Sequence, residues 1–241
     1  MEEIRAKINF NNSGYYFIGL YALAVLGFWP SYFAKFFNGV ADFAFYFHFH
    51  AAMVTLWIFC LVIQPMLIRK KKLPLHRLIG KASYVIIPML FLSVILLAHY
   101  RISYHILVIN NEKNYGLRLF IPFKDLLVFG TMYILAIRYR HNIHIHARAM
   151  VATGIVFIEP ALVRLIRYIS NGSALSYPLT IFIVYSLLIT LIIRERHQKK
   201  GRWVFPLVLG LYIIIHTIIL FKVQIWPWEM FARWFADLNI T

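Results

Sequence analysis

The chain has 241 residues, of which 61% are hydrophobic, with a mean hydropathy of +0.71 and a formal net charge of +16. Soluble domains are about half apolar and rarely contain several apolar runs of about 20 residues, so this composition excludes an ordinary soluble fold. The basic residues lie in short segments between apolar runs, which favours lipid headgroups over nucleic acid as their partner. The single cysteine, Cys60, excludes a disulfide framework and a thiolate zinc site.

Seven apolar segments predict transmembrane helices that form an all-α polytopic bundle, and the whole chain, residues 1–241, forms one integral membrane domain in contact with the lipid bilayer. In chain order the predicted spans are Tyr15–Phe33, Phe43–Ile68, Ala82–Val108, Phe120–Ile137, Ala147–Ile169, Leu175–Ile193 and Trp203–Phe221. The remaining residues, 223–241, are too few to span a bilayer. Their three tryptophans predict an amphipathic tail that lies at the membrane interface: Trp226, Trp228 and Trp234.

Lysine and arginine cluster after the second, fourth and sixth predicted spans, for example in the segments RKKKLPLHRLIGK and RERHQKKGR. Because basic residues are enriched in cytoplasmic loops, these loops and the N-terminus, with Arg5 and Lys7, are predicted to be cytoplasmic. The C-terminus is then outside. The opposite loops carry fewer basic residues, among them Lys35, Lys113 and Arg118. The acidic start of the chain does not resemble a cleavable signal, and we expect a multi-pass protein of a bacterial cytoplasmic (inner) membrane.

The histidines fall into two layers, one near each face of the membrane. The outer layer has His50, His99 and His216, and the inner layer has His76, His144 and His146. Residues seven apart share a face of a helix, so His50 lies on the same face as Trp57 and Gln64. A glutamine is not expected to face lipid, and we therefore predict that His50 points into the bundle.

Charged residues within the predicted spans add to both layers, and charges there are rare and mark functional sites. On a continuous fifth helix, His146, Thr153 and Arg164 share one stripe, with Arg167 beside it, whereas Arg148 and Glu159 share another. Lys124 and Asp125 of the fourth span reach the same depth as Glu159. Because these side chains lie at one depth, we expect histidine, carboxylate and guanidinium groups to come together in the outer half of the bundle.

The leading interpretation is a haem b protein that passes electrons to or from a quinone or a partner subunit of a larger membrane complex. Low-spin haem iron needs two axial ligands, which neutral imidazoles from different helices provide within a helical bundle. The predicted outer pair is His50 with His99 or His216, and the predicted inner pair is His76 with His146. The haem propionates need cations, and the candidates are Arg164 and Arg167 outside and Arg77 and Arg148 inside.

Two alternatives remain open. A membrane-embedded zinc hydrolase would use three ligands of the His and carboxylate type, here His50, His99 and His216 with Asp125 or Glu159, although no HExxH motif is present. A non-catalytic accessory subunit or transporter-like protein would instead pair its charges with one another and use its histidines for hydrogen bonds between helices.

The segments FHAAMVTLWIFCLVIQPMLI, LPLHRLIGKASY and IHARAMVAT, followed by EPALVRLI, resemble an uncharacterised family of bacterial multispan membrane proteins over residues 45–170. The resemblance rests on matched positions that include the candidate ligands: His50, Trp57, Gln64, Pro65, His76, Arg77, Gly80, His146, Arg148, Met150, Pro160 and Arg164. More loosely, the layered histidines resemble the b561-type and ferric-reductase-type di-haem cytochromes. That likeness implies haem ligands on alternate helices, but the fourth span has no histidine to pair with His50.

Overall fold

The computed structural model describes residues 10–39, 43–109 and 115–241. The regular structure in these ranges is helical throughout. The helices are α1 (Ser13–Phe28), α2 (Ala34–Phe37), α3 (Phe45–Arg69), α4 (Leu73–Ile109), α5 (Tyr115–Arg138), α6 (Ile143–Ile155), α7 (Ile158–Ile169), α8 (Ser176–Glu195), α9 (Val204–Leu220) and α10 (Trp226–Ala236).

The described part of the chain contains six stretches that are long and apolar enough to cross a membrane. They coincide with the first six predicted spans, which confirms an all-α, multi-pass membrane bundle. The seventh predicted span corresponds to α9, an apolar helix of 17 residues, and its crossing of the bilayer stays a prediction, as does the orientation of the termini. Of the basic residues behind that orientation, Arg5, Lys7 and Lys113 lie outside the described residues.

The third span begins earlier than the sequence pattern predicts, because the basic segment after α3 is a tight turn and not a long loop. Lys71 adopts a positive φ of 56° that ends α3, and α4 begins two residues later at Leu73. Pro74 lies in the first turn of α4, where its missing N–H has no intrahelical partner to lose. His76 therefore lies in the first turn of a helix that begins nine residues before Ala82, the point where the sequence pattern predicts that the span begins.

The fifth span is one helix by sequence but two in the structure. α6 ends at Ile155 and α7 begins at Ile158, with a turn between them. Pro160 follows at the third position of α7, where a proline is tolerated because the N–H groups of the first turn are not bonded within the helix. Val156 and Phe157, at the break, keep right-handed helical dihedral angles, so α6 and α7 together form one span, Ile143–Ile169.

The first span is also interrupted, by a π-helical turn over Trp29–Phe33 that contains Pro30. α1 packs along α7, and the two helices approach closely at Gly27, where an added Cβ would meet the backbone carbonyl of Ala161. The two interrupted spans are therefore neighbours.

A large apolar core fills the bundle between α3, α4, α5, α6, α8 and α9, and it includes the fully buried Trp57, Phe129 and Met132. A second, smaller core lies where α10 packs against α4 and α5, with Phe235 and Ala232 at its centre. The C-terminal tail thus docks on the bundle through one apolar face, which is consistent with its amphipathic pattern.

Candidate functional site

Three buried polar atoms without a partner in the described chain lie along the second half of α3 and the start of α4, near the end of the bundle where α6 also begins. On α3, Trp57 is 1% exposed and its indole N–H has no hydrogen-bond partner among the described residues. Gln64, two turns further along the same face, donates from Nε2 to the backbone oxygen of His76 at 3.2 Å, but its buried Oε1 is likewise without a partner. Buried polar atoms normally find partners, so this region has unused hydrogen-bonding capacity.

Two histidines from different helices complete this region. His146 Nδ1 lies 2.8 Å from the backbone oxygen of Ala136. A carbonyl only accepts, so Nδ1 carries the proton and Nε2 of the neutral ring keeps its lone pair. This is the arrangement that prepares a metal-ligating histidine. His76, on α4, has a buried Nδ1 without a partner in the described chain.

A tyrosine and a serine form the wall of this region towards the centre of the bundle. Ser83 donates to the backbone oxygen of Gly80 at 2.6 Å, and its oxygen therefore accepts from the Tyr133 hydroxyl at 2.8 Å. The Tyr133 ring lies edge-on to Trp57, with centroids 5.8 Å apart. We name Trp57, Gln64, His76, Tyr133 and His146 the inner site.

The outer candidates do not converge in the same way. His50 Nδ1 donates to Ser93 Oγ at 3.2 Å, because the Ser93 hydroxyl proton is already given to the Leu90 oxygen. His99 is fully buried and bonds through Nδ1 to Thr241 Oγ1 at 2.6 Å, with its ring edge-on to Phe235 of α10. The structure thus places His50 against α4 and His99 against the C-terminal tail.

His216, the other outer candidate, has both ring nitrogens occupied. Nδ1 lies 3.0 Å from the Tyr185 hydroxyl and Nε2 lies 3.2 Å from Glu159 Oε2. Glu159 Oε1 accepts from Lys124 Nζ at 2.9 Å, and Lys124 also donates to Asp125 Oδ1 at 2.8 Å. We name these five residues the Lys124 network, and it leaves His216 no free lone pair for a metal.

The four candidate propionate partners have different surroundings. Arg77 is exposed beside His76, and Arg167 is exposed near the end of α7. Arg148 is 1% exposed, forms an ion pair with Glu195 of α8 and donates to the His144 oxygen. Arg164 donates to the Pro160 oxygen and stacks on Phe28 at 4.4 Å. Of the inner pair, Arg77 is therefore the cation without a carboxylate partner among the described residues.

Sequence reasoning missed several of these contacts. Sequence analysis placed Glu159 on one stripe with Arg148, whereas Glu159 contacts Lys124 and His216. It treated Glu195 as part of a basic loop, although Glu195 is fully buried at the end of α8. The signal for Glu195 is its position as the one carboxylate among the basic residues after the sixth span, a charge that needs a partner if it is buried.

The arrangement of the candidate histidines and carboxylates determines whether they could bind zinc or haem iron. Within the described ranges, no group of three or more His, Cys, Asp or Glu side chains is arranged to hold a metal ion, so the three-ligand zinc site has no assembled counterpart there. Haem iron needs only two protein ligands, and the inner site offers two imidazoles beside unpartnered polar atoms. Comparison of the chain with protein-family models, with curated proteins and with solved structures finds no match.

Proposed function

We propose that the protein is a membrane electron-transfer protein that binds haem b at the inner site, with His76 and His146 as axial ligands. The observation that carries this proposal is that two imidazoles, one near the start of α4 and one near the start of α6, each keep a ring nitrogen available. The bond from His146 Nδ1 to the Ala136 oxygen leaves Nε2 of that ring free, and His76 has a buried Nδ1 without a partner in the described chain.

The surrounding residues suit an apolar ring with polar edges. Trp57, Phe129 and Tyr133 supply aromatic walls that exclude water. The unpartnered Gln64 Oε1 and Trp57 N–H are available to polar groups of a ligand, and the exposed Arg77 is placed to meet a carboxylate at the membrane surface. When bound, the haem supplies one-electron chemistry, and the histidines set its potential as axial ligands.

The basic loops favour a cytoplasmic location for the inner site. α4 and α6, which carry the two histidines, begin directly after the basic turns at 70–72 and 138–142. We therefore place the inner site in the cytoplasmic half of a bacterial inner membrane, with a quinone in the bilayer or a partner subunit as the electron partner.

The test is the optical spectrum of the purified full-length chain after haem has been supplied during expression or added in detergent. We expect the sharp α-band of low-spin haem b on reduction with dithionite, and its loss in His146→Ala and His76→Ala. His141→Ala is the matched control, because His141 is exposed and accepts a hydrogen bond from the neighbouring Arg140. Elution as a single species would show that the variants remain folded.

Two results would contradict the proposal. One is a wild-type protein that stays colourless with haem in excess, in which case the accessory or transporter-like alternative would replace it. The other is a full haem content in both His146→Ala and His76→Ala.

A further inference from the structure

The Lys124 network lies apart from the inner site and joins four helices within the bundle. Lys124 and Asp125 come from α5, Glu159 from the first turn of α7, Tyr185 from α8 and His216 from α9. The side chains of Lys124, Glu159 and His216 are at most 5% exposed, whereas that of Asp125 is 25% exposed. The network thus runs from the buried interior to a partly exposed carboxylate.

The charges that are in contact do not balance when His216 is neutral. One ammonium, on Lys124, faces two carboxylates, on Asp125 and Glu159, so the contact network then carries one net negative charge. One additional proton, shared along the bond between His216 Nε2 and Glu159 Oε2, makes the network neutral. Because an uncompensated charge in a low-dielectric interior is costly, this geometry favours holding that proton.

The state without the additional proton also has a compensating group. Arg164 lies on α7, five residues after Glu159, and its charge acts on the Asp125 carboxylate. Its guanidinium lies against Phe28 of α1 and interacts with Arg101 of α4. Arg164 therefore offsets the negative charge of the state without the additional proton, while the state with that proton is neutral within the network itself.

Two tyrosine hydroxyls beside the network have unused hydrogen-bonding capacity. Tyr212 is completely buried and stacks on the His216 ring at 5.3 Å, yet its hydroxyl has no partner among the described residues. The Tyr177 hydroxyl, also without a partner there, lies on the other flank, where its ring is edge-on to His216 at 6.0 Å. Both hydroxyls interact electrostatically with Glu159, and a water molecule there would satisfy them.

We infer that the Lys124 network is a proton-binding site, in which the hydrogen bond between His216 and Glu159 takes up and releases one proton. In the uptake step, Asp125, whose side chain is 25% exposed, takes a proton from solvent and passes it to Lys124 as Lys124 gives one of its own protons to Glu159. The added proton is then shared between the Glu159 carboxylate and His216 Nε2, while His216 keeps its own proton on Nδ1. Release follows the same transfers in reverse, so that the proton count is conserved at each step. The inference does not depend on haem binding at the inner site.

The test is infrared difference spectroscopy of the full-length protein in lipid vesicles, recorded between neutral and acidic buffer with ring-¹³C-labelled histidine. We expect bands of a water-shielded carboxylic acid and of a labelled imidazole that change protonation. Glu159→Gln should remove the carboxylic band and His216→Phe the imidazole band. Glu229→Gln is the control, because Glu229 lies on α10 outside the network, and it should leave both bands unchanged.

The alternative is a permanently ionised structural cluster, which would give neither band in the wild-type protein. That result would overturn the inference, and so would bands that persist in both network variants. If Glu159→Gln fails to give a folded protein, as judged by elution and helical circular dichroism, Tyr185→Phe provides a milder change. It removes only the hydroxyl on His216 Nδ1 and should shift the imidazole band, whereas an unshifted band would count against the proposed path.

Discussion

The ion pair between Arg148 and Glu195 allows the sharpest test of how this bundle is stabilised. The two side chains come from α6 and α8 and are each 1% exposed. Arg148 Nε donates to Glu195 Oε2 at 2.6 Å, and Nη2 donates to the same oxygen. The remaining Arg148 contacts are the His144 oxygen and the face of Phe10, 5.0 Å from the guanidinium carbon. We expect the removal of either charge alone to destabilise the fold strongly.

The expected magnitude follows from the burial. Removing one partner of a fully buried pair costs about 3–5 kcal/mol, since the other charge is left uncompensated. Because about 1.4 kcal/mol corresponds to a tenfold change in an equilibrium constant, Glu195→Leu should shift the unfolding equilibrium roughly a hundred- to several-thousand-fold. Replacing both residues by apolar ones of similar volume, as in Arg148→Met with Glu195→Leu, should be close to neutral by the same principle.

The assay is a double-mutant cycle measured by reversible denaturation in mixed micelles, with Arg194→Met as the control because Arg194 adjoins Glu195 on α8 but is exposed. The control should lie within about 0.5 kcal/mol of wild type, as surface substitutions usually do. The reasoning would be refuted if the double variant were as unstable as the sum of the two single variants, or if Glu195→Leu unfolded like the control.

Two further predictions concern glycines. Gly27→Ala should destabilise the protein, because its Cβ would meet a carbonyl oxygen of α7, whereas Gly19→Ala on the same helix has open space and should be neutral or slightly stabilising by helix propensity. Gly201→Ala should destabilise the fold more than Gly172→Ala. Both glycines have a positive φ, 78° at Gly201 and 87° at Gly172, so both substitutions carry a conformational penalty of about 1 kcal/mol. Only at Gly201 would the added Cβ also lie 2.8 Å from the His144 oxygen. Melting temperatures in detergent measure both comparisons, and equal melting temperatures within either pair would contradict the packing argument.

Much of the fold is predictable because long apolar runs fix the positions of membrane helices. The predicted helix boundaries are wrong where the local backbone conformation, and not the hydropathy of the sequence, decides where a helix begins or ends. The basic residues after α3 were interpreted as a loop, but a positive φ at Lys71 and a proline in the first turn allow α4 to begin at Leu73. The break between α6 and α7 has no counterpart in the apolar pattern, since the residues at the break, Val156 and Phe157, are themselves apolar.

The side-chain networks are less predictable than the helices, because helix phase does not specify which helices are neighbours. The seven-residue spacing along α3 does place His50 on the same helix face as Trp57, which is buried. The predicted depth in the membrane correctly grouped Lys124 with Glu159, and these two side chains form an ion pair. Tyr185, however, acquires its role only from the packing of α8 against α9, where it meets His216, and nothing in its local sequence distinguishes it from a lipid-facing residue.

The charges in the fifth span have a consequence for the order in which ion pairs can form while the chain is being synthesised. The first half of this span carries Arg148 and its second half carries Glu159, and these charges are neutralised by groups from α8 and α9, which leave the ribosome later. When this segment first reaches the bilayer, Glu159 can form an ion pair with Lys124, which has already been translated. Arg148 has no such partner yet, because Glu195 has not been translated. The carboxylate that pairs with Arg148 becomes available only when Glu195, 47 residues later in the chain, has been translated, so this buried ion pair can form only after α8 has been synthesised.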